Sequence, residues 1–126
     1  MEGHTIEGRD SRVVEEDDCA VRWGNEGLYV LSTPAILGGM ERVCVAAIAA
    51  ELEPGEMTVG VDVHLEHLAP TPMGDTVTYD VVMKRHGRGI DVDFTVTDAG
   101  GVVVSRGTHR RAVIDKQRFL GKLGRA

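Results

Sequence analysis

"STPAILGGMERVCVAAIAAELEPGE", residues 32–56, carries Ala, Ile, Leu, Met and Val on nearly every face of a helix. A helix that is apolar all round belongs in a core rather than on a surface. Thr33 is the expected cap of the first free amides, and Pro34 suits the first helical position. The run stops at "EPGE", where Pro54 and Gly55 break the pattern. Gly38 and Gly39 each weaken helix propensity by about 1 kcal/mol relative to Ala. That cost suggests that something approaches the helix backbone closely there. Glu41 and Arg42 interrupt the apolar run, so the segment reads as buried in protein rather than spanning a membrane.

After the helix the chain reads as strands, at 57–68, 76–84, 90–97 and 102–114, followed by a polar tail. Residues 11–22, "SRVVEEDDCAVR", are the expected first strand, and "WGNEGL" after them reads as loop. In "TVGVDVHLEHLAPTPMGDTVTYDV", residues 58–81, Val59, Val61, Val63 and Leu65 alternate with Gly60, Asp62, His64 and Glu66. That is one apolar and one polar face, and the apolar series runs on to His67. One apolar helix needs a cover, and several antiparallel strands with one apolar face supply it. The fold expected is α+β: a curved antiparallel sheet wrapped around a long central helix, the hot-dog architecture. A single such sheet leaves edges and part of the helix uncovered, which points to a homodimer, or a higher oligomer built from it, with sheets joined edge to edge.

The 126 residues suffice for one domain, 1–126, with residues 1–10 expected to be a flexible N-terminus. "IEGR" at 6–9 matches a protease recognition sequence and carries no function in this reading. The net charge of -6 argues against a nucleic-acid partner. The amino terminus lacks the apolar stretch of a secretory signal, and no membrane association is expected. Cys19 and Cys44 form no C-x-x-C pair, which fits a reducing cytoplasm. Phosphate-loop, dinucleotide and nucleophile-elbow motifs are absent, so no cofactor is expected.

Few residues are candidates for chemistry. Glu41 either reaches solvent at a gap in the sheet or brings an acid to a pocket. Eight residues of helix advance about 12 Å, so Thr33 and Glu41 of one chain meet only through a substrate or a second subunit. Thr33 is either an ordinary cap or a hydroxyl that, with first-turn amides, faces a ligand. His67 is either a core histidine or a proton-transfer group near a sheet end. Asp62, His64 and Glu66 are metal-ligand types on one face, but a usable site needs ligands from elsewhere, and no metal is expected. Arg106, Arg110 and Arg111 are either a solvated face or a landing place for phosphates.

Three pieces, "STPAILGGMERVCVAA", "LEPGEMTVGVDVHLEHLAPTPMGDTVT" and "GTHRRAVIDKQRF", together resemble the fluoroacetyl-CoA-thioesterase-like family of hot-dog thioesterases. The resemblance runs from about residue 13 to about residue 120. It implies an acyl-coenzyme A thioesterase, homodimeric, with active sites at the subunit interface. It also implies a catalytic set of Thr33, Glu41 and His67, with Gly60 close to the thioester and Arg111 as a binding residue. The glycine-rich segment "RWGNEGLYV" before the helix lacks the aromatic lid expected for selecting a fluorinated acetyl group. A small or medium acyl-CoA is therefore the substrate expected. The alternatives are a hot-dog module that binds acyl-CoA without cleaving it and a metal enzyme built on Asp62, His64 and Glu66.

Overall fold

The computed structural model describes residues 4–124. Five strands form one antiparallel sheet: β1 (Thr5–Val13), β2 (Glu56–His67), β3 (Thr76–His86), β4 (Gly89–Asp98) and β5 (Val103–Asp115), in the order β1-β3-β4-β5-β2. One long helix, α1 (Thr33–Ile48), packs across this sheet. Alternation in the central strands explains the arrangement. Val77, Tyr79, Val81 and Met83 of β3 and Ile90, Val92, Phe94 and Val96 of β4 are all buried. Paired residues such as Val81 and Phe94 stand opposite one another on the face that meets the helix. Ile36, Met40, Val43, Cys44 and Ile48 of α1 complete the core. This is the sheathed helix of the hot-dog fold.

Gly39 shows what the helix glycines are for. A Cβ there would fall on the Tyr79 ring, 2.6 Å from its hydroxyl. The missing side chain lets the aromatic ring lie against the helix backbone. Gly38 has no such neighbour; an added Cβ would meet only Arg42, at 4.0 Å.

Three expectations need correction. The first strand is Thr5–Val13, paired along its length with β3, rather than 11–22. Residues 5–10 are therefore ordered sheet and not a flexible leader; residues 1–3 lie outside the described residues. Ile6 enters the core, and Gly8 packs so closely that a Cβ would lie 2.8 Å from that of Ala47. The acidic run that obscured this strand forms short 3-10 turns, Glu16–Asp18 and Ala20–Trp23. A capping box between Glu15 and Asp18 places these carboxylates on free amides. The tail holds a short helix, α2 (Lys116–Lys122), capped by Asp115.

The helix is left partly uncovered, as expected of a single sheet. It is covered on one side only: Val45 is 49% exposed, and Arg42 and Ala46 also face outward. Thr33–Glu51 is long and apolar enough to cross a membrane by length and composition, yet here its buried stripe is spent on the sheet.

The third correction concerns β2. Its pairing with β5 shifts between Gly60 and Asp62, so Val61 is an extra, unpaired residue, 58% exposed. A bulge of this kind reverses which alternate residues face the core. Before it, Thr58 and Gly60 stand opposite Val113 and Arg111 on the helix side; after it, Val63, Leu65 and His67 stand opposite His109, Gly107 and Ser105. The single series from Val59 to His67 is thus two half-series, and Val59 and Val61 are not on the face that carries His67.

Candidate active site

Two groups of side chains lie along the inner face of β2. The first begins with the helix start. Ser32, not Thr33, is the cap: its hydroxyl accepts from the Ala35 amide at 3.2 Å. Thr33 becomes the first helical residue, with Pro34 second. Its hydroxyl is therefore not committed to the helix and lies 2.9 Å from His67 Nδ1. The approach is set by the chain before α1, where Val30 bridges Pro72 and the Leu31 amide donates to the Thr71 carbonyl. That ties the helix start to the turn that follows His67. Burial holds the His67 pKa below its ordinary value, partly offset by a backbone bond to Ala69. Ser32→Ala is expected to cost about 1 kcal/mol in urea unfolding. Thr33→Ala is expected to leave the midpoint within about 0.5 kcal/mol of wild type. The reverse ranking would return the cap to Thr33.

The second group surrounds Glu41, two turns along α1. Arg111 of β5 is 3% exposed and spends its donors inside the protein. Its Nε donates to Thr58 Oγ1 at 2.9 Å and its Nη2 to the Thr58 carbonyl at 3.0 Å. Nη1 donates to Glu41 Oε2 at 2.8 Å and lies 3.1 Å from His109 Nε2. Gly60 leaves room for the carboxylate: an added Cβ would stand 2.7 Å from Glu41 Oε2. Leu37, Glu41, Gly60, Val61, Val63 and His109 line an open cavity of about 420 Å³ at this point. The Glu41 side chain is 36% exposed into it. A buried cation thus anchors a carboxylate whose remaining surface faces a cavity.

Thr33 meets His67, and Glu41 meets Gly60 and Arg111. Among the described residues, no hydrogen bond or ion pair joins Glu41 to His67 within one chain. Arg111 is not an exposed landing place for phosphates, because its guanidinium is enclosed by Thr58, Glu41 and His109. Arg106 and Arg110 lie outside, against Glu66 at 3.3 Å and Asp91 at 3.4 Å. Asp62, His64 and Glu66 fall on that outer face too, and no group of three side chains able to hold a metal occurs among the described residues. His109 is the residue that the sequence reading missed. Alternation in β5 held the signal: Ser105, Gly107, His109, Arg111 and Val113 share one face.

The comparisons with known proteins agree with this fold. Residues 14–117 match the model of the fluoroacetyl-CoA-specific thioesterase family. The fluoroacetyl-CoA thioesterase of Streptantibioticus cattleyicolor is 39% identical over 95 residues, 75% of this chain and 68% of that protein. A crystal structure of a mutant of the fluoroacetyl-CoA-specific thioesterase FlK superposes with a TM-score of 0.88 at 29% identity, covering 98% of each chain. Another FlK mutant, in complex with acetyl-CoA, gives 0.85 at 30% identity, covering 94% of this chain and 93% of that one. The helix and its antiparallel sheet are those of a hot-dog thioesterase, an enzyme that hydrolyses thioesters. The chain belongs to the fluoroacetyl-CoA-specific thioesterase family.

Proposed function

We propose that this enzyme hydrolyses the thioester of a small or medium acyl-coenzyme A, with Thr33, Glu41 and His67 at the reacting carbon. One observation carries the reading: the Glu41 carboxylate, held at 2.8 Å by a buried arginine, faces an open cavity beside a glycine. A helix that only packed would have no use for that arrangement. The relatives' fluoroacetyl-CoA and acetyl-CoA support the coenzyme A ester as the substrate class.

In this mechanism water, or Glu41 itself, attacks the thioester carbonyl carbon. In the water route Glu41 accepts the proton. The Thr33 hydroxyl donates to the developing oxyanion, where a single donor is worth about 3 kcal/mol of barrier. Collapse breaks the C–S bond, and coenzyme A leaves as its thiolate and takes up a proton, which His67 is placed to relay; in the Glu41 route it leaves a mixed anhydride on Glu41 that water then hydrolyses to the free acid. Gly60 admits the thioester next to the carboxylate. Arg111 acts from behind, as the anchor of Glu41.

The active site in this reading is completed across a homodimer. β2 is an edge strand with an exposed bulge at Val61, and the outer side of α1 at Val45 is uncovered. Joining two β2 edges would cover these groups and bring the Thr33–His67 pair of one protomer toward the Glu41 of its partner. The segment before α1 leaves Gly24 and Gly27 in positive-φ turns with open space around them. The aromatic residues of this segment, Trp23 and Tyr29, are exposed and neither lines the cavity at Glu41, so selection for a fluorinated acetyl group is not assigned. Two free, buried cysteines fit a reducing cytoplasm.

A panel of acyl-CoAs from acetyl to longer chains, with detection of free thiol, tests the activity. Turnover of short and medium chains is expected. Thermal stabilisation by acyl-CoA without thiol release would mean a binding module, and light scattering at the monomer mass would remove the shared site.

The pH response follows from the histidines. Burial lowers the pKa of both His67 and His109 from the ordinary 6.5. The neutral, proton-accepting form of His67 therefore persists on acidification, and the acid limb of kcat/KM should have its midpoint below 6.5. Stability has the matching sign. The unfolded chain takes up these protons first, so stability is full above about 6.5 and falls as pH drops toward the folded values. Urea midpoints across that range check it; a midpoint rising on acidification would contradict it.

A further inference from the structure

We propose that His109 is a positioning residue for Glu41, linking the bulge of β2 to the Arg111–Glu41 pair through a single ring. The inference rests on the thioesterase reading above and assigns a role to a group that reading leaves unused. His109 is buried on β5, opposite Val63, just beyond the bulge. Its Nδ1 lies 2.8 Å from the carbonyl of Asp62, the first residue paired after the irregularity. A carbonyl only accepts, so the ring proton is on Nδ1. That leaves a lone pair on Nε2, which accepts from Arg111 Nη1 at 3.1 Å. The same Nη1 donates to Glu41 Oε2. The Nε2–Oε2 separation of 3.7 Å is too long for a hydrogen bond. His109 thus acts on the carboxylate through the arginine.

The consequences for the site are specific. The groups facing the ring are Arg111 from β5, Glu41 from α1 and Asp62 from β2. A second ring proton, on Nε2, would point at the Arg111 N–H. Two donors would then oppose each other with almost no water to separate them. Burial lowers the ring's affinity for that proton. The bulge carbonyl gains a partner, and Gly60, the residue before the bulge, is held in register beside Glu41. One imidazole therefore sets both walls of the carboxylate's cavity.

Two substitutions separate the ring's two bonds. His109→Asn keeps an amide donor near Nδ1 for the Asp62 carbonyl and loses the acceptor at Nε2. His109→Gln reaches the Nε2 position with an acceptor and loses the bulge bond. Positioning through Arg111 predicts about a 100-fold fall in kcat for His109→Asn with KM little changed. His109→Gln is expected to stay within about 10-fold of wild type. The opposite ranking, or losses that track Tm equally in both variants, would overturn the proposal. Nitrogen-15 NMR of histidine-labelled wild type gives a readout without substrate. The proton is expected on Nδ1, with Nε2 unprotonated, at neutral pH. A proton on Nε2 would overturn the role. Absence of acyl-CoA turnover by wild type would instead sink the thioesterase reading, and the ring's bond to Arg111 would then be judged on NMR alone.

Discussion

Glu41→Gln is expected to lower kcat for acyl-CoA hydrolysis about 10³-fold, with the thermal midpoint nearly unchanged. The substitution is close to isosteric and keeps an oxygen to accept from Arg111 Nη1, which now sits 2.8 Å from Oε2. The buried guanidinium therefore retains its partner, and the fold loses only part of one charge-assisted bond at a partly exposed position. The chemistry loses its centre. A neutral amide neither accepts a proton from water nor attacks a carbonyl, and proton transfer by a placed base is worth about 10²–10⁴-fold. Both routes considered for this enzyme, direct water attack and an acyl intermediate on Glu41, need the anion. Steady-state kinetics on the best acyl-CoA, beside a melting curve, make the measurement. A variant within about fivefold of wild type would remove Glu41 from the reacting centre and leave it a structural partner of Arg111.

Arg111→Met is expected to cost about 3 kcal/mol in stability and to abolish most activity as well. Methionine follows a similar path through the core, so little volume is lost. The donors are what disappear. Thr58 Oγ1, the Thr58 carbonyl, His109 Nε2 and the Glu41 carboxylate all depend on this guanidinium. Each buried group left without a partner costs about 1–3 kcal/mol. Urea unfolding reads the loss, and a companion variant sharpens it. Thr58→Val removes one of the orphaned acceptors, so Arg111→Met combined with Thr58→Val should be less unstable than the sum of the two single changes. Strict additivity would mean that Arg111 and Thr58 are not energetically coupled, against their 2.9 Å bond.

The contrast between these residues shows how much of the site was readable beforehand. Thr33, Glu41, His67 and Gly60 stood out because each breaks a local pattern or matches a family motif. Arg111 carried the same motif, but its burial was invisible: Arg106, Arg110 and Arg111 look alike in the sequence, and only the pleat separates them. Its neighbours on the sheet turn one inward and leave two outside with Glu66 and Asp91. His109 went unnoticed among those arginines although it occupies the same inner row. The first strand was misplaced because the acidic run after it was read as part of it, whereas those carboxylates cap short turns.

Composition and periodicity were sufficient for the architecture, since a helix apolar on most faces and strands apolar on one have few ways to hide both. Such patterns report what each residue prefers to face, and so they reach the fold class and the residues that violate the pattern. They do not report an inserted residue in a strand or a one-position shift of a cap, because both depend on pairing with distant chain. The bulge at Val61 exists through the register of β2 on β5, and Thr33 is free for His67 because Ser32 takes the cap. Contacts between residues far apart along the chain, such as Arg111 with Thr58 and Glu41, are made by folding, and it is these contacts that turn a pattern-breaking acid into a positioned one.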